Sequence, residues 1–465
     1  MTIFRVEAGP RVRGTLVLLG TVAVLAVWLE FLIIRHHAIF GVVNILLGAI
    51  LAVLAMQRGR RGGWLLLTLV GAVSAVLQLL WVTTSLYPLW IAAFIATLTL
   101  AACSWAVAWG SRRHVKLTGA ARSRRWIARA GAFLGAGLAT LVSLAFVVLA
   151  ITPAPATESI QASTGFGNSF EAAAATETRV VNGSRLTNDI QYGTRYPNSF
   201  LDIYIADNDP SVARPTYVVV HGGGFIVGSK TNGDPNAAGG PPFAVGGGPV
   251  LDAGYNVVAI DYGLAPGVPY PTPVIQLGEA IDFLQEHGAE FGLDMSRVVL
   301  AGGSAGGHIV GQYANIQTNP DYAGEMGIAP TISPSRLEAV VLDSAALVPA
   351  KAGYTQEPSL ANDFLFDLSL RSYVGTSQHQ LAEANIILHA GPAFPPSFIT
   401  DGNTATFADQ AEELSTKLTE LGVRNEVDLP PVSNAVLGHA FMYSPSPSTD
   451  EYNEKKIAFL ADVLR

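Results

Sequence analysis

Ser304 stands in the run Gly302-Gly303-Ser304-Ala305-Gly306, directly after the β-branched stretch Val298-Val299-Leu300 and ahead of residues able to open a helix. A serine on a sharp strand-to-helix turn presents its hydroxyl clear of the backbone, and small residues two before and two after it avoid clashes in that turn. Ser304 is therefore a candidate nucleophile. About 80 residues upstream, His221-Gly222-Gly223-Gly224-Phe225 follows another β-branched stretch, Val218-Val219-Val220. Glycines there let backbone N–H groups approach a developing oxyanion, with the N–H of Ala305 as a further donor. A serine hydroxyl is a poor nucleophile until a neighbouring imidazole takes its proton, so one of the nine histidines is required as base. The chemistry implied is acyl transfer.

These residues need a scaffold. From about Glu177 to Arg465 short β-branched runs alternate with helical periodicity, the pattern of a mostly parallel α/β sheet flanked by helices. The segments 201–205, 216–220, 256–260, 297–300, 339–342 and 397–400 read as strands. Val274 to His287 and Phe407 to Leu421 carry apolar residues at helical spacing. Thr231 to Gly248 is rich in Gly and Pro and reads as a loop near the active-site entrance.

His221-Gly222-Gly223-Gly224-Phe225, Asp261-Tyr262-Gly263-Leu264-Ala265-Pro266 and Gly303-Ser304-Ala305-Gly306-Gly307-His308 together resemble the hormone-sensitive-lipase-like carboxylesterases of the α/β-hydrolase fold. The resemblance covers roughly Ile190 to the C terminus. It implies Ser304 as nucleophile, Gly223, Gly224 and Ala305 as oxyanion donors, and a chain order of serine, acid, histidine. It implies that His221 supports its loop and that His308 packs behind the serine turn. The base it implies is His439, whose setting Leu437-Gly438-His439-Ala440-Phe441 is similar to the family's Gly-His-x-Phe ending and which is the last histidine in the chain.

The acid departs from the pattern. The family places an aspartate three residues after the glycine ending the seventh strand; that glycine looks like Gly402, and Ala405 stands at the acid's place. Asp401, at the carboxyl end of the predicted strand, is the nearest replacement. Asp343, ending the preceding strand, is the alternative. Asp409 reads as a first-turn carboxylate favoured by the helix dipole for structural reasons.

The N-terminal third differs in kind. The whole chain is 50% hydrophobic and 14% charged with mean hydropathy +0.36, against about 25% charged in average soluble domains. Up to Ile151 there are 14 Lys and Arg but 2 Asp and Glu, so this third is basic and the remainder acidic. That acidity argues against a nucleic-acid partner. Five apolar stretches, Gly14 to Ile34, Ala38 to Met56, Trp64 to Leu86, Leu89 to Trp109 and Ala130 to Ile151, are each near the about 20 residues that cross a bilayer. Tryptophans cluster near their ends, as interface anchors do. Arg5, Arg11 and Arg13, then Arg58, Arg60 and Arg61, then the basic run from Arg112 to Arg129 fall in alternate loops. By the positive-inside rule these loops face the cytoplasm and the C-terminal domain faces outward. Glu30, near the end of the first span, reads as snorkelling toward the interface. With no paired charges at span centres the bundle reads as an anchor. The expected organisation is a transmembrane helical domain over 1–151, a flexible linker over 152–177 and a catalytic domain over 178–465.

The reading is a membrane-anchored serine hydrolase cleaving carboxylic esters, with a small-molecule or lipid ester as substrate and the bilayer as partner. No cofactor or metal is implied, since neither zinc-type ligand spacing nor a phosphate-binding Gly-x-x-x-x-Gly-Lys loop is present. The alternatives are an acyltransferase or deacylase acting on envelope lipid or glycan, a peptidase, and a non-catalytic extracytoplasmic sensor. The single Cys103 forms no intrachain disulfide.

Overall fold

A computed structural model describes residues 8–33, 37–110, 120–165, 167–168, 178–181, 183–230, 248–357 and 359–465. The loop read over 231–248 lies, but for Gly248, outside them, as do Arg5, Arg35, Arg112, Arg113 and Lys116. The described chain forms two compact units, Met1–Pro153 and Ala154–Arg465.

The first unit contains helices α1 (Pro10–Leu32), α2 (His37–Arg58), α3 (Gly62–Thr84), α4 (Tyr87–Gly110) and α5 (Ala120–Ile151). All five are long and apolar enough to cross a membrane. A helix satisfies its own backbone groups, as hydrocarbon surroundings demand. α2 and α3 approach closely where Gly48 and Gly71 face each other; a β-carbon on either would lie under 3 Å from the other's carbonyl oxygen. Glu30 does not snorkel. It is fully buried among the helices, where Oε2 accepts from Asn44 Nδ2 (2.8 Å) and Gln78 Nε2 (3.3 Å) and Oε1 accepts from Trp90 Nε1 (3.2 Å). These donors come from α2, α3 and α4 and hold the carboxylate inside, because a buried acid without partners is far costlier than one with them.

The second unit is built on a nine-stranded sheet in the order β1-β2-β3-β5-β4-β6-β7-β8-β9. β1 (Thr178–Val181), β2 (Ser184–Gln191) and β3 (Phe200–Ile205) pair antiparallel, and β3 lies antiparallel to β5. From β5 (Asn256–Ile260) through β4 (Pro215–Val220), β6 (Asp294–Gly303), β7 (Leu337–Asp343), β8 (Ser397–Thr400) and β9 (Asn425–Asp428) all pairing is parallel. The six predicted strands are β3 to β8. The central ones are apolar on both faces, as strands covered on both sides must be. Val218, Val220, Val258, Ile260 and Leu300 enter one core; Tyr217, Val257, Ala259, Val299 and Ala301 enter the other. This is the period-two alternation of a strand.

Helix α6 (Ala154–Thr164) precedes the sheet in the chain, α7 (Thr272–Phe291) lies between β5 and β6, α8 (Ala305–Thr318) between β6 and β7, and α9 (Leu360–Tyr373) between β7 and β8. α10 (Ala408–Glu420) comes after β8, and α11 (Pro447–Val463) ends the chain. α7, α8 and α10 cover the first core, with Leu277, Ile281 and Leu284 of α7 at helical spacing; Tyr452, Phe459 and Leu460 of α11 cover the second. Of the predicted flexible linker over 152–177, residues Ala154–Thr164 form the docked helix α6, while Phe166 and residues 169–177 lie outside the described residues. Gln161 Nε2 donates to the carbonyls of Ile226 (2.8 Å) and Ala265 (2.9 Å), and the Thr157 hydroxyl pairs with that of Ser372 at 2.7 Å. Those bonds dock a segment whose composition alone does not order it.

Candidate active site

In an open parallel sheet the site lies beyond the carboxyl ends of the strands, and β6 ends directly before Ser304 there. Ser304 has φ 53° and ψ −115°, a left-handed conformation that costs a non-glycine residue of order 1–3 kcal/mol. Its neighbours must be small. A β-carbon on Gly306 would overlap the Val220 carbonyl, and one on Gly302 would overlap the Gly306 backbone. The strain is held by Ser304 N–H donating to Asp343 O (2.7 Å) and by His308 N–H donating to Ser304 O (3.1 Å), which opens α8.

The glycine loop leaves the end of β4 beside this turn. Gly223 and Gly224 have φ 109° and 61°. Among the described residues none accepts a hydrogen bond from the N–H groups of Gly223, Gly224 or Ala305. His221 stacks on Tyr262 with ring centroids 4.2 Å apart, and its backbone carbonyl accepts from the Tyr262 hydroxyl at 3.0 Å. Burial pushes the His221 imidazole down to about 4, so it is neutral. It does not contact Ser304 and braces the loop. His308 is buried against Phe225 with Nε2 2.9 Å from Ala384 O, behind the serine turn.

His439 does meet the serine: Nε2 lies 2.9 Å from Ser304 Oγ. Phe366 and Phe407 enclose the ring at centroid distances of 4.7 and 5.4 Å, leaving a partly open edge. That desolvation pushes the imidazole down to about 4.

Neither candidate acid touches His439. Its Nδ1 lies 2.9 Å from the hydroxyl of Thr406, and that hydroxyl donates to Asp401 Oδ1 at 2.6 Å. Asp401 Oδ1 also accepts from Ser344 Oγ (2.5 Å) and Gly402 N–H (2.7 Å), and Oδ2 accepts from Phe407 N–H (2.8 Å). Complete burial pushes this carboxyl up to about 6 against the pull of those donors. Asp343 instead accepts from the hydroxyls of Tyr443 (3.1 Å) and Tyr452 (2.8 Å) near Lys456, and burial raises it. Asp409 is exposed in the first turn of α10. Thr406 is the residue the sequence reading missed. Its only signal is a hydroxyl beside Ala405, the place where the resemblance puts an acid.

A cavity of about 410 Å³ lies in front of Ser304 and His439. Ile160 of α6, Ile226 and Val227 after the glycine loop, and Leu365 and Phe366 of α9 give it an apolar wall. Tyr217, Tyr443 and Lys456 line it from the second core face. No three His, Cys, Asp or Glu side chains converge as metal ligands would among the described residues.

Residues 217–442 match the family described as alpha/beta hydrolase fold. A carboxylesterase of Mycobacterium tuberculosis strain H37Rv, NlhH, is 30% identical over 266 residues, spanning 55% of this chain and 76% of that protein. Esterase LipI of the same strain is 34% identical over 108 residues, 23% of this chain and 31% of that protein. Among solved structures, esterase B from Lactobacillus rhamnosis (HN001) superposes with a TM-score of 0.53 at 21% identity, over 62% of this chain and 88% of that one. That likeness concerns the fold. With the sheet order, the strained serine turn and the relative matched over three quarters of its length, the chain belongs to the α/β-hydrolase fold family, among the hormone-sensitive-lipase-like carboxylesterases.

Proposed function

We propose that this protein is a membrane-anchored carboxylesterase working through an acyl-enzyme on Ser304. One observation carries the reading: Ser304 Oγ sits 2.9 Å from His439 Nε2, in a cavity that Gly222, Gly223 and Gly224 also line. His439, neutral above about pH 4, takes the Ser304 proton as Oγ attacks the ester carbonyl. Negative charge then develops on the carbonyl oxygen against the N–H groups of Gly223, Gly224 and Ala305, with Ala305 at the amino end of α8. Collapse expels the alcohol, which takes the proton from His439. Water, deprotonated in turn by His439, releases the acid and restores Ser304.

The apolar wall of Ile160, Ile226, Val227, Leu365 and Phe366 favours a hydrocarbon acyl group. A cavity of about 410 Å³ falls among small-molecule sites, which span roughly 300–1,000 Å³. The relative named a carboxylesterase supports the same bond class. The five apolar helices support membrane attachment, and the alternation of basic loops supports an outward-facing catalytic unit.

The test is hydrolysis of p-nitrophenyl butyrate by the full chain in detergent. The wild type should show a pre-steady-state burst, and Ser304→Ala should lose about 10⁴-fold or more in kcat. Comparable turnover in Ser304→Ala would end this reading.

A further inference from the structure

We propose that Thr406 is a positioning residue of this site, its hydroxyl taking the place of a carboxylate against His439 Nδ1 and linking the imidazole to Asp401. This rests on the reading of Ser304 and His439 as nucleophile and base. A threonine hydroxyl has one proton to donate. Asp401, when ionised, only accepts, and the 2.6 Å bond to its Oδ1 claims that proton. The Thr406 oxygen then faces His439 Nδ1 at 2.9 Å as an acceptor, so Nδ1 must carry the imidazole hydrogen. Nε2 is left with a lone pair aimed at the Ser304 hydroxyl. Every proton along Asp401, Thr406, His439 and Ser304 is used once, and the tautomer is the one a general base needs.

The hydroxyl is placed by its backbone. Thr406 is fully buried. Its carbonyl accepts from Gln356 N–H (2.8 Å), and the next residue's N–H is held by Asp401 Oδ2 (2.8 Å). Ala405 before it turns through φ 53°. The carboxylate thus clamps the turn that presents the hydroxyl as well as receiving its proton. Asp343 is engaged by two tyrosine hydroxyls and makes no such link.

The test uses the full chain in detergent with Thr406→Val and Thr406→Ser, reading kcat and KM for p-nitrophenyl butyrate separately. Thr406→Val should lose about 10²-fold or more in kcat with KM within about threefold, and Thr406→Ser should recover to within about tenfold of wild type. A Thr406→Val kcat within about threefold of wild type would overturn the proposal. So would an equal loss in Thr406→Ser, which would mean packing alone. A second readout needs no turnover: in protein labelled with nitrogen-15 histidine, the His439 signal, identified by its loss in His439→Gln, should show the hydrogen on Nδ1 at about pH 8. A hydrogen on Nε2 overturns the positioning role even in an active esterase. A hydrogen on Nδ1 in a protein that turns over no ester leaves Thr406 in its role and removes the esterase reading instead.

Discussion

Replacing Asp401 by Asn removes the negative charge behind the base while keeping its shape. The two hydrogen bonds through Thr406, laid end to end, place Asp401 Oδ1 no more than about 5.5 Å from His439 Nδ1. At an effective dielectric of about 20, the attraction between the carboxylate and the imidazolium formed during attack is about 3 kcal/mol. Its loss therefore lowers kcat/KM by about 10²-fold. A carboxylate in direct contact, at about 3 Å, would instead be worth about 5.5 kcal/mol and roughly 10⁴-fold. The pH profile carries a second signature. Burial pushes Asp401 up to about 6 while His439 is pushed down to about 4. Wild-type kcat/KM should fall as pH drops through about 6, where Asp401 gains its proton, and Asp401→Asn should be flat there and fall only near 4. Stability moves the other way. A carboxyl whose pKa is raised on folding binds its proton more tightly in the native state, so its contribution is complete below about 3.8 and lost as pH rises through about 6. The thermal midpoint of wild type should therefore gain on that of Asp401→Asn as pH is lowered from about 7 to 5. The assay is p-nitrophenyl butyrate hydrolysis by the full chain across that range. A loss under about fivefold, or an acid limb near 6 persisting in Asp401→Asn, would refute the electrostatic argument.

Two further predictions concern residues outside the proton chain. Glu30→Ala leaves the buried donors of Asn44, Gln78 and Trp90 without their acceptor, at about 1–3 kcal/mol each. The thermal midpoint of the full chain in detergent should drop while kcat at low temperature stays as in wild type; an unchanged midpoint would contradict the role given to this network. Ile160→Trp adds bulk to the apolar wall. It should lower kcat/KM for p-nitrophenyl decanoate about tenfold or more relative to the acetate, and an unchanged ratio would show that the acyl chain lies elsewhere.

The sequence was most legible where backbone geometry leaves few choices. Ser304 requires a left-handed turn wedged against Val220, so Gly302 and Gly306 are written into the chain around it. The buried strands β4 to β8 are apolar runs bounded by turn residues. Strands at and next to the sheet edges were not legible: the edge strand β9 reads Asn-Glu-Val-Asp with two exposed side chains, and β2, one strand in from the other edge, is polar with Asp189 at φ 56° interrupting its register. Asp401 stands at the strand end as expected, yet its link to His439 runs through Thr406, because a single hydroxyl in a turn has no periodicity or motif to reveal it. Glu30 was misread because its partners lie on three other helices, and position along one span cannot show them. α6 was read as tether because its order comes from Gln161 reaching two carbonyls about 65 and 104 residues further on.

The central claim is that Ser304 is the acylated residue and that His439 activates it. The most direct measurement is reaction of the full chain with a fluorophosphonate, followed by peptide mass spectrometry to locate the adduct and by its rate in wild type, Ser304→Ala and His439→Ala. One adduct per chain on Ser304, absent from Ser304→Ala and slowed by about 10³-fold or more in His439→Ala, is the predicted result. An adduct on another residue, or labelling of Ser304 at the wild-type rate without His439, would contradict it.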